Sequence, residues 1–189
     1  MTKKAQGTLV VRDPAVVRAM RTPLRQELLA ALERLGTASV KEIAVETGRA
    51  PASLYYHVYE LARAGLIREA GRRPAGRRPE SVYELTAARI VIDRRERSAA
   101  FIEAVADLKR ATLRTAEREL LAALKRPSGG AGPGAPALLL RLTARLTPGD
   151  ARKADIMLRQ LAAFLEKTGN PKGRDTYAFT GAFVRRAAS

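Results

Sequence analysis

The sequence predicts a mainly α protein with helices and a β-hairpin in its N-terminal part, then a long helix and a separate C-terminal helical region. Three observations support this. Residues 1–92 alternate short stretches of helical apolar spacing with glycine and proline punctuation, and end in two strand-like runs. Residues 93–125 form one long charged helical stretch. Residues 126–136 are so rich in glycine and proline that regular structure cannot persist, so they are expected to link that helix to residues 137–189.

In the first region, Thr22-Pro23 is expected to cap a helix with proline at its first position, where the missing N–H costs nothing. Leu24, Leu28, Ala31 and Leu35 recur on one face, and Gly36 ends the helix. Ser39-Val40-Lys41-Glu42 has the spacing of a capping box and starts a second helix that runs to Gly48. Pro51 starts a third, with Leu54, Val58 and Leu61 inward, and Gly65 closes it. Leu66 to Glu69 and Ser81 to Leu85 follow as strands joined by residues 70–80. Helix, helix, tight turn, helix, hairpin is the plan of a winged helix-turn-helix.

Charge narrows the function. The chain of 189 residues carries a formal net charge of +16, a surplus that attracts polyanions. Most of it is arginine, whose planar fork suits phosphate and guanine edges. There are no cysteines, which excludes disulfides, thiolate metal sites and thiol nucleophiles. No apolar run is long enough for a membrane span or a signal peptide, so the expected compartment is the cytoplasm, with the chromosome.

With Leu54, Val58 and Leu61 inward, the third helix turns Ala52, Ser53, Tyr55, Tyr56 and Tyr59 outward. Small residues near a helix N-terminus allow close approach to DNA, and Ser53 and Tyr56 can hydrogen-bond base edges or phosphates. Packing against a neighbour is an equal alternative for Tyr59. The hairpin loop holds Arg72, Arg73, Arg77 and Arg78, whose mutual repulsion an anion such as a DNA backbone would relieve. A merely solubilising loop is the competing reading. Ser39, Lys41 and Arg49 complete the candidate DNA contacts.

Two segments carry a family resemblance. Pro23-Leu24-Arg25-Gln26-Glu27-Leu28-Leu29 resembles the opening of ArsR-type winged-helix regulators, and the run from Leu54 to Ile67 resembles their recognition helix and the start of their wing. The resemblance spans residues 14–92. It implies a dimer placing two recognition helices in successive major grooves, with Ala52, Ser53, Tyr55 and Tyr56 on the reading face. The metal-sensing members carry cysteine or histidine ligands that are missing here, so no metal and no cofactor is expected.

His57 is the single histidine, at the inner edge of the third helix, where a structural or phosphate-contacting role is preferred to a catalytic one. With no paired carboxylates and no nucleophile motif, an enzyme is not expected.

In residues 93–125, Phe101, Val105, Leu108 and Thr112 keep helical spacing. Pairing of this stripe with its copy in a second subunit is expected, with packing inside its own chain as the alternative. Thr147-Pro148 opens a last helix with a stripe of Ala154, Met157, Leu158, Leu161, Phe164 and Leu165, stopped near Gly169-Asn170-Pro171. Tyr177, Phe179, Gly181 and Phe183 alternate as in a strand. This region could serve dimerisation or enclose a small-molecule effector, but it shows no convergent polar cluster, and packing is preferred. The functional expectation is a homodimeric, sequence-specific regulator of transcription that binds double-stranded DNA and acts by repression. The alternative is a non-specific architectural nucleoid protein, for which the charge alone would suffice.

Overall fold

The computed structural model describes residues 7–75, 78–125, 137–168 and 177–185. The expected linker 126–136, the helix stop at residues 169–171 and Arg77 lie outside them. The chain divides into two units, Met1–Thr115 and Ala116–Ser189.

The first unit opens with β1 (Thr8–Val11) and α1 (Pro14–Ala19). Asp13 caps α1 by accepting the Ala15 N–H at 2.7 Å. Next comes α2 (Pro23–Leu35). Thr22 has the extended backbone of a cap, but its hydroxyl is buried and makes no capping bond, so proline alone marks this start. Leu28, Ala31 and Leu32 are buried, with Leu24 packed beside them. Leu35, expected inward, is exposed because it lies in the last turn, beyond the edge of the core. The helix ends on Gly36, whose φ of 76° favours glycine.

Strand β2 (Thr37–Ser39) leads into α3 (Val40–Thr47). The capping box is complete: Ser39 Oγ accepts the Glu42 N–H, and the Glu42 carboxylate accepts the Ser39 N–H at 2.7 Å. Left-handed Gly48 closes α3, and a short turn leads to α4 (Pro51–Arg63). Its inner residues Leu54, Val58 and Leu61 are buried, as their spacing requires.

The hairpin is β3 (Ile67–Arg73) and β4 (Glu80–Leu85), with β2 on the free edge of β4, giving the antiparallel order β2-β4-β3. β3 runs four residues past the expected end at Glu69. The register shift between Glu69 and Gly71 is a bulge that absorbs Ala70-Gly71, a pair that looks like a turn in sequence. Thus Arg72 and Arg73 sit on the strand, not in the loop. A parallel pair of β1 with β5 (Arg89–Ile92) completes the sheets.

The long helix α5 spans Ala99–Leu124. Phe101, Ala104 and Leu108 belong to the same buried cluster as Leu28, Leu54 and Leu61, with Val105 packed against it. The stripe expected to face a second subunit is therefore buried in its own chain along these turns. The first unit accordingly extends into α5.

In the second unit, α6 (Pro148–Thr168) starts on Thr147, which accepts the Asp150 N–H at 3.1 Å. Its apolar stripe is present but Met157, Leu161, Phe164 and Leu165 are exposed. Residues 177–185 form no strand, contrary to their alternating pattern: a strand needs a hydrogen-bonded partner, and no described segment pairs with them. No helix among the described residues is long and apolar enough to cross a membrane.

Candidate nucleic-acid interface

Burial of Leu54, Val58 and Leu61 fixes the rotation of α4 and so determines what its other side presents. Tyr55, Tyr56 and Tyr59 are 56%, 63% and 62% exposed, and Ala52 and Ser53 are exposed beside them. Ser53 Oγ donates to the Ala50 carbonyl at 2.7 Å, which leaves its lone pairs to accept from outside. Ala50 offers no side-chain cap; Pro51 has no N–H to satisfy, and the Ser53 N–H donates to the Ala50 carbonyl at 3.1 Å.

Ser39, by contrast, is no surface contact. It is 1% exposed and its hydroxyl is engaged in the capping box. Lys41, Arg49, Arg72 and Arg73 share a feature the sequence does not reveal: the protein's own carboxylates already hold them. Lys41 pairs with Glu80 at 3.4 Å and Arg72 with Glu69 at 3.4 Å. Arg49 makes a forked contact to Glu27 at 3.0–3.2 Å. Arg73 clasps both oxygens of Glu42, at 3.1 and 3.0 Å, and donates to the Thr37 carbonyl at 3.2 Å. That clasp ties the wing to the start of α3. The Ser39 N–H, aided by the Arg73 charge, holds the Glu42 carboxyl below its ordinary pKa. Repulsion among the wing arginines is thus partly relieved from within. Arg78 is exposed near the hairpin tip. These surface pairs are each worth about 0–1 kcal/mol, so a phosphate can displace the carboxylate.

Behind Tyr56 lies a polar cluster that sequence reasoning missed. Arg25 on α2 is 8% exposed. Its guanidinium donates to the Ala19 carbonyl at 3.1 Å and to Glu60 at 3.4 Å, and lies over the Tyr56 ring at 5.8 Å from its centroid. His57 meets the same ring edge-on at 5.4 Å. The available signal was Arg25 within the Pro23-Leu24-Arg25 motif; nothing local pointed to Glu60.

Burial, and secondly the Arg25 charge, push the His57 pKa below its ordinary 6.5, against the opposing pull of Glu60. Since the folded state disfavours the proton, the stability due to neutral His57 is complete above pH 6.5 and is lost as pH falls through the depressed folded value. Tm is therefore expected to drop on acidification in that window, and His57→Gln should flatten this part of the curve. An identical pH–Tm profile for the variant would show that His57 is not linked to folding. Among the described residues no group of acidic or histidine side chains is arranged to hold a metal ion.

A family described as a helix-turn-helix domain matches residues 21–70, the segment from the start of α2 into β3. With β3 and β4 added, this part of the chain is a winged helix-turn-helix. Among curated proteins none matches the chain. Two solved structures match over most of their length at low identity. NadR in complex with 4-hydroxyphenylacetate has 15% identity and a TM-score of 0.31, with 82% of each chain covered. RV1404 from Mycobacterium tuberculosis has 17% identity and a TM-score of 0.30, covering 85% of this chain and 86% of its own.

Proposed function

We propose that the chain is a sequence-specific regulator of transcription that binds double-stranded DNA as a homodimer, an ArsR-type repressor of the cytoplasm without a metal or cofactor. The observation that carries this reading is the outward face of α4: three exposed tyrosines with Ala52 and Ser53, on the second helix of a helix-turn-helix pair. In a major groove that face meets base edges, while β3, β4 and Arg78 follow the backbone.

A second subunit is supported by α5. Ile102 and Leu113 are exposed eleven residues apart, three helical turns, on the side away from Phe101 and Leu108. This stripe, not the one legible first in the sequence, is the proposed seam. A small-molecule effector stays open. The alternative, a non-specific architectural protein, needs only charge and has no use for a polar reading face such as Ser53, Tyr55 and Tyr56.

Tyr56→Ala tests the assignment. On duplexes that the wild type selects from a randomised pool, it is expected to reduce discrimination against random DNA by about 1–3 kcal/mol, that is, five- to 150-fold. Equal losses on selected and random duplexes would mean that Tyr56 meets only the backbone.

A further inference from the structure

Long charged side chains are seldom buried, and those that are need partners that repay the lost hydration. Arg25 is such a residue, and its partners share a geometric purpose. The Ala19 carbonyl at the end of α1 holds one nitrogen, and Glu60 holds another. The guanidinium carbon then lies over the Tyr56 ring. Tyr56 and Glu60 are one turn apart on α4, so Arg25 grips this helix at two adjacent points. One anchors the cation; the other is a ring still 63% exposed. The edge-on contact with His57 restrains the same ring from a second direction.

We propose that Arg25 is a positioning residue for sequence recognition: it holds the Tyr56 ring in the orientation presented to DNA, without touching DNA itself. This rests on the reading of α4 as the recognition helix. A ring that is already ordered loses less rotamer freedom on binding, and the gain falls on sequences matching its fixed orientation. Lysine would keep the charge beside Glu60 but has no planar face to stack on the ring.

The test uses the full chain, a duplex recovered by the wild type from a randomised pool, and a duplex of random sequence. The quantity read is the ratio of the two affinities. Arg25→Lys is expected to lower that ratio about three- to ten-fold, the range of ordering one side chain. Affinity for the random duplex should be nearly unchanged. In a Tyr56→Ala background the same substitution should have no further effect on the ratio; in a Tyr56→Phe background, which keeps the ring but not the hydroxyl, it should still lower the ratio. An unchanged ratio, or an equal fall whether or not the ring is present, would overturn the proposal and leave Arg25 a purely structural residue. If Arg25→Lys does not fold, Glu60→Gln replaces it, since it removes the negative charge that anchors the guanidinium on α4, and the same dependence on the Tyr56 ring is required. Failure of the wild type to recover any common sequence would overturn the recognition-helix reading and this proposal together. A recovered sequence with a failed cycle would overturn this proposal alone.

Discussion

Replacing Arg72, Arg73, Arg77 and Arg78 together by alanine is expected to weaken binding to every duplex and to flatten its dependence on salt. Each phosphate contact contributes roughly 0.9 to the slope of log K against log salt, or roughly eight-fold in affinity at 0.1 M. Four contacts set an upper bound of about 3.6 in slope. The observed ion pairs lower it, because Glu42 and Glu69, once released by Arg73 and Arg72, take up cations as DNA sheds them. An affinity loss on the order of 10²- to 10³-fold is therefore expected, shared by all sequences. Arg73 also ties the wing to Thr37 and Glu42, so the alanine variant has a structural effect as well. The corresponding four-lysine variant separates the two, since it keeps the charge and should keep most of the slope. A slope identical to wild type in the alanine variant would remove the wing from the interface.

Phe101→Ala is expected to destabilise the first unit by about 3–5 kcal/mol, the usual cost of emptying a buried phenylalanine site. Phe101 is 3% exposed and packs with residues of its own chain. The loss should therefore be the same at every protein concentration. A Tm decrement that varies with concentration would place Phe101 at a subunit boundary, because only then is its contribution coupled to association. Thermal unfolding across a hundred-fold concentration series distinguishes the two.

What was legible in the sequence was local. Ser39 and Glu42 announce α3 because a capping box closes within four residues, and Pro51 with Leu54, Val58 and Leu61 defines both the start of α4 and its rotation. From that rotation the exposure of Tyr55, Tyr56 and Tyr59 follows. The features that escaped depend on distant partners. β1 and β5 are four-residue runs whose pairing has no neighbouring signal. The extra length of β3 was hidden by Ala70-Gly71, which the bulge accommodates. The alternating residues 177–185 had the pattern of a strand but no neighbour to pair with among the described segments. In the candidate interface the cations were visible, but not Glu27, Glu42, Glu69 and Glu80, which hold them. Arg25 likewise looks like a surface residue until Ala19, Tyr56 and Glu60 surround it.

Selection from a pool of genomic fragments at two salt concentrations, with sequencing of what stays bound, tests the central claim most directly. A sequence-specific dimer is expected to retain a short inverted repeat at the higher salt, with half-sites about 10 bp apart. Uniform recovery that disappears as salt is raised would show that charge alone does the binding, and would replace the regulator with an architectural protein.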